Sequence, residues 1–142
     1  MEAKRISDKL WVVKLSPGED ILEGLAVFAG EKGVGGFVNG IGAVKEPELG
    51  YFDLAEKSYK KKKFDGEFEL LSLSGNISFI DNEPLVHVHA VLGRNDFSTI
   101  GGHLFSAEVS VTAEIIIISW DMNELSRTED QETRLKLWKL CD

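Results

Sequence analysis

Leu85-Val86-His87-Val88-His89-Ala90-Val91-Leu92 is an apolar run broken only by two histidines, two residues apart. So short an apolar run, rich in β-branched residues and followed by the turn-forming Gly93-Arg94-Asn95-Asp96, predicts a buried strand. On a strand alternate side chains share a face, so His87 and His89 point the same way. Their Cα atoms then lie ~6.6 Å apart at ~3.3 Å rise per residue. Two imidazoles at that spacing can close around one ion with metal–nitrogen bonds of ~2.1 Å. The chain's third histidine, His103, follows Gly101-Gly102 just beyond the turn. Three converging imidazoles make an open, zinc-type site; nickel, copper and iron also accept imidazole.

Outward from this run the pattern stays that of strands. Upstream, Phe79-Ile80-Asp81-Asn82-Glu83-Pro84 supplies turn formers between Leu70–Ile80 and Leu85–Leu92, which predicts a hairpin. Downstream, Val109, Val111, Ala113, Ile115 and Ile117 alternate with Ser110, Thr112, Glu114, Ile116 and Ile118. One face of that strand is wholly apolar and the other mixed, as expected of a central strand lining a pocket or an interface. Leu10–Leu15 reads as a first strand, Leu135–Leu140 as a last short strand or a helical turn, and glycines punctuate Phe37-Val38 and Leu49-Tyr51-Phe52.

Helical periodicity occurs in one place. Ser16-Pro17-Gly18-Glu19 has the form of a capping box, with Ser16 as N-cap and Pro17 as first helical residue. Ile21, Leu22, Leu25, Phe28 and Ala29 follow at helical spacing, and Gly33 is placed to end the helix in a left-handed conformation. The expected fold is α+β: a mostly antiparallel curved β-sheet with one main helix packed on it, in a single domain over residues 1–142.

The chain has 142 residues, 43% of them hydrophobic, enough for one core. Its charged start, Met1 to Lys9, has no signal-peptide pattern, its longest apolar run is too short to span a bilayer, and its one cysteine, Cys141, cannot form an internal disulfide. These features predict a cytoplasmic protein without a membrane partner. Sixteen basic and twenty-four acidic side chains give a net charge of −8, which disfavours DNA. The basic exception, Lys57 and Lys60-Lys61-Lys62-Lys63, reads as a charge-protected edge strand with lysines on both faces. Asp121, Glu124, Glu129, Asp130 and Glu132 read as a solvated acidic loop.

Glu114, on the mixed face, is the candidate general acid or base for any hydrolysis, and Asn39 and Asn76, each beside glycine, either close turns or line a pocket near the metal. The Gly-x-Gly at residues 40–42 lacks the third glycine and following helix of a dinucleotide site.

Several blocks, taken in order, resemble the PPC (plant and prokaryote) domain family. They are Leu15–Asp20, Asn39-Gly40-Ile41-Gly42-Ala43, Leu49-Gly50-Tyr51-Phe52-Asp53, Gly66–Ile77, His87-Val88-His89, Gly101-Gly102-His103-Leu104 and Thr112-Ala113-Glu114-Ile115. The resemblance implies a sheet-rich α+β domain assembling as a homotrimer, with zinc, one per chain, at the positions of His87, His89 and His103. Plant members carry an Arg-Gly-Arg-Pro type AT-hook that this sequence lacks. Where those members have a Gly-Arg-Phe-Glu-Ile-Leu block, this chain reads Gly66-Glu67-Phe68-Glu69-Leu70-Leu71, an acid replacing the arginine. The expected role is binding of a small anionic ligand or a protein partner at the metal-lined pocket. A DNA-binding transcriptional regulator and a zinc-dependent hydrolase are the alternatives.

Overall fold

The computed structural model describes residues 1–140; Cys141 lies outside the described residues. The elements run β1 (Glu2–Ser7), β2 (Leu10–Leu15), α1 (Ile21–Lys32), β3 (Val34–Asp53), β4 (Ser58–Lys63), β5 (Glu67–Ile80), β6 (Glu83–Gly93), β7 (Thr99–Asp121), β8 (Ser126–Glu129) and β9 (Lys136–Lys139). All these strands belong to one mixed, mostly antiparallel sheet in the order β1-β2-β7-β3-β5-β8-β9, with β4 on β3 and β6 joined to both β5 and β7. The pairings β3–β5, β5–β6, β6–β7 and β7–β3 close a circuit, possible because β3 and β7 are long and broken by register shifts. No described helix is long and apolar enough to cross a membrane.

The predicted helix is present, but it begins later than the capping-box reading placed it. Gly18 takes φ 90°, which turns Ser16–Glu19 into a tight turn instead of a first helical turn. The Glu19 carboxylate still accepts from the Ser16 backbone N–H at 2.7 Å, the reciprocal half of the box, outside the helix. Asp20 is the N-cap: its Oδ1 accepts from the N–H groups of Leu22 and Glu23, and its Oδ2 from Ala107 on β7. One carboxylate therefore both starts the helix and ties it to the sheet. Gly33, at φ 64°, ends the helix as predicted. Ile21, Leu25, Phe28 and Ala29 are fully buried, with Phe28 edge-on to Trp11.

The hairpin at residues 79–84 forms as expected, with Asp81 and Asn82 both at positive φ, the backbone of a two-residue turn. The central strand does too, with one exception on its apolar face. Between the pairs Ala113–Gly42 and Val109–Val44 the register shifts, and Val111 is thrown outward to 66% exposure. The lysine run is an exposed edge strand, β4, with Lys61 over the Phe105 ring and Lys62 over Phe64. Two segments differ from expectation. The charged start forms β1, an exposed strand whose Glu2 pairs with Lys14. Within the acidic tail, Ser126–Glu129 forms β8, which pairs with β9 and touches β5 through one parallel bridge.

Candidate functional site

On β6, Val88 and Ala90 are buried in the core, so the alternating His87 and His89 face away from it. Register then brings in the third ring, because His89 stands directly opposite His103 on β7. Ring centroids lie 5.2 Å apart for His87–His103 and 5.4 Å for each of the other two pairs. One nitrogen from each ring lies within 4.8 Å of the other two. A tetrahedral ion with ~2.1 Å bonds needs nitrogens ~3.4 Å apart, a difference side-chain torsions can absorb.

The wall behind His103 is aromatic. Tyr59 and Phe105 lie 4.9 and 4.7 Å from the His103 ring, centroid to centroid, and 5.0 Å from each other. Gly50 opposes His103 in register, and a Cβ there would come within 2.4 Å of the Phe105 ring and 3.0 Å of Tyr59. Gly75, opposite Val88, is tighter: its Cβ would sit 2.0 Å from the His87 carbonyl oxygen. Both glycines allow a close approach that any side chain would block.

Burial sets the protonation of the site. It is the main cause pushing His103 down to about 4, with His87, His89 and Lys61 acting in the same direction. His87 is lowered too, by burial first and then by Arg127 and His89. At neutral pH both rings are therefore uncharged and offer lone pairs without first losing a proton. His103 Nδ1 is buried and has no hydrogen-bond partner among the described residues. A buried polar atom left this way is costly unless something satisfies it, and a metal ion would. Neutral imidazoles with an orphaned nitrogen fit a borderline cation such as zinc.

Sequence reasoning missed Arg127. This β8 residue is 8% exposed, and it donates to Ser78 Oγ (2.6 Å), the Lys136 carbonyl (2.6 Å) and Asn76 Oδ1 (2.8 Å), with Nη2 3.4 Å from His87 Nδ1. Trp138 on β9 covers the guanidinium. Its only cue was being the sole basic residue within an acidic stretch, Asp121 to Glu132.

The three pocket candidates separate. Asn76 stands opposite His87 and is held by Arg127, beside the histidines. Asn39 and Glu114 instead line a groove of about 680 Å³ with Lys14, Val12, Ile41 and Ile116, and no histidine lines it. Asn39 donates to the Leu73 carbonyl at 3.4 Å. Among the described residues, no carboxylate joins the histidine cluster.

The family signature of the Plants and Prokaryotes Conserved (PCC) domain, also written PPC, matches residues 3–121. Three solved structures are similar over nearly the whole chain. A metal-containing protein of Archaeoglobus fulgidus is 36% identical, with 92% of this chain and 93% of that one covered and a TM-score of 0.83. A candidate DNA-binding protein of Bacteroides thetaiotaomicron is 33% identical, covering 97% and 96%, with a TM-score of 0.90. A PPC protein of Pyrococcus horikoshii is 32% identical, covering 99% and 95%, with a TM-score of 0.85. No curated protein matches the sequence.

Proposed function

This chain belongs to the plants and prokaryotes conserved domain family, and from that premise we propose that it is a metal-binding module that holds one zinc ion through His87, His89 and His103. The observation that carries this reading is the convergence of one nitrogen from each ring within 4.8 Å. It is supported by the orphaned His103 Nδ1 and by a relative named as metal-containing. When bound, zinc with three protein ligands keeps an open position for water or an exogenous ligand. The chain's own residues orient the rings: the Tyr59–Phe105 wall packs behind His103, and Arg127 and Asn76 lie beside His87. The open position takes a ligand in a small-molecule or partner-binding role, within a single domain working in the reducing cytoplasm.

Homotrimerisation belongs to the same proposal. Phe37, Ile41, Ile116 and Ile118 form an exposed apolar strip on neighbouring positions of β3 and β7, along the groove that holds Asn39 and Glu114. Such a strip suits burial against other copies of the chain. Hydrolysis is less well supported, since Glu114 lines that groove and not the histidine cluster. DNA binding draws support from the name of the Bacteroides relative, but the net charge of −8 opposes it. Retention of duplex DNA at low ionic strength would favour it.

Elemental analysis of purified protein, with native mass, tests the proposal. The expected result is one zinc per chain, loss of zinc in His87→Ala and in His103→Ala, and a trimeric mass. Full metal retained by both variants would refute the ligand set, and a monomeric mass would refute the trimer.

A further inference from the structure

The histidine cluster is flanked by cations and by no carboxylate among the described residues. From β8, Arg127 places Nη2 3.4 Å from His87 Nδ1; it is nearly buried, and all its hydrogen-bond partners are neutral. From β4, Lys61 sits with Nζ 3.7 Å from the centroid of the Phe105 ring, which itself packs 4.7 Å from His103. The two cations come from different elements, one next to His87 and the other over the Phe105 ring that packs on His103. Because all the protein ligands are neutral imidazoles, a bare dication here would add two positive charges beside two existing ones. Buried charge of one sign calls for a counter-charge, and the open coordination position is where one can enter.

We propose that the centre recognises an oxyanion, a carboxylate or phosphate group that takes the open metal position while Lys61 and Arg127 supply the complementary field. This rests on the metal reading above and names the ligand class for the same site. A dication on three neutral imidazoles already favours an anionic fourth ligand; the flanking cations strengthen that preference. One charge ~6 Å away at an effective dielectric of ~40 changes anion affinity roughly tenfold, and a solvent-exposed lysine changes it less, about threefold.

Cobalt(II), whose visible spectrum reports its coordination, is loaded into the full chain and titrated with inorganic phosphate, acetate and neutral free imidazole. For wild type the expected result is a spectral change with at least one of the two anions. That anion should bind about threefold more weakly in Lys61→Met and roughly tenfold more weakly in Arg127→Met, with cobalt affinity equal or higher and imidazole binding unchanged. Lys61 is exposed on an edge strand, so its variant keeps the test valid if Arg127→Met fails to fold. No response to either anion in wild type, or anion affinity unaltered in Lys61→Met, would overturn the inference while leaving the metal site standing. Failure of wild type to take up cobalt would remove the metal reading and this inference together.

Discussion

At the histidine cluster, two of the three rings are half-buried and without hydrogen-bonding carboxylates, one of them, His103, is backed by aromatic rings, and two cations stand beside the cluster. In the groove holding Asn39 and Glu114, the polar groups are exposed or bonded to backbone, and ion pairs such as Glu2–Lys14 lie at its rim beside protruding Ile41 and Ile116. Both regions contribute polar side chains from β3, β5, β6 or β7, so residue type alone does not tell them apart. What separates them is desolvation. The cluster withholds solvation from groups that a ligand could satisfy, whereas the groove leaves its groups in water, as a surface awaiting a partner does.

The contrast is most exposed to metal affinity. His103→Ala removes one of the three proposed ligands and is expected to weaken zinc binding by on the order of 100-fold or more, whereas Glu114→Gln and Asn39→Ala leave it within about twofold. Competition with a chromophoric chelator measures this, and equal losses from both regions would erase the distinction. The next effect is on stability. Gly75→Ala forces a Cβ to within 2.0 Å of the His87 carbonyl oxygen and should cost about 2–3 kcal/mol. Gly30→Ala, whose nearest contact is a Pro84 side-chain carbon at 4.0 Å on an exposed helical position, should gain about 0.5–1 kcal/mol. Urea unfolding of the metal-free proteins reads both, and a neutral Gly75→Ala would show that β5 and β6 are not held so tightly at the site.

The smallest effect concerns pH. His87 and His103 both have folded-state pKa values below the unfolded value of ~6.5. Between ~6.5 and about 4 the unfolded chain therefore binds more protons than the folded one, so the contribution of these rings is complete above ~6.5 and is lost as pH falls through that window. Metal-free His103→Asn should show a shallower decline in its unfolding midpoint across that range than wild type. An unchanged slope would mean that His103 is not desolvated as described.

Much of the fold was legible because alternation and turn chemistry are local. His87 and His89 could be placed on one face from their spacing, and Asp81-Asn82 marked the hairpin that puts them there. Gly33 signalled the helix end for the same reason. The helix start was misplaced because Ser16-Pro17-Gly18-Glu19 carries the capping pattern while Gly18 takes a φ that no helix allows, leaving Asp20 to cap. Val111 went astray because a bulge interrupts the alternation without a local sign. Arg127 was illegible for a different reason: β8 is four residues long and mostly exposed, and its arginine acquires meaning only from Asn76, Ser78 and His87, roughly forty to fifty residues away in sequence. The three imidazoles were visible as a set, whereas the charge around them was not.

X-ray absorption at the zinc edge of the zinc-loaded protein addresses the shared centre most directly. Three imidazole nitrogens at ~2.0–2.1 Å with one further light-atom ligand is the predicted result. Coordination by a single imidazole, or by the Cys141 sulfur at ~2.3 Å, would contradict it.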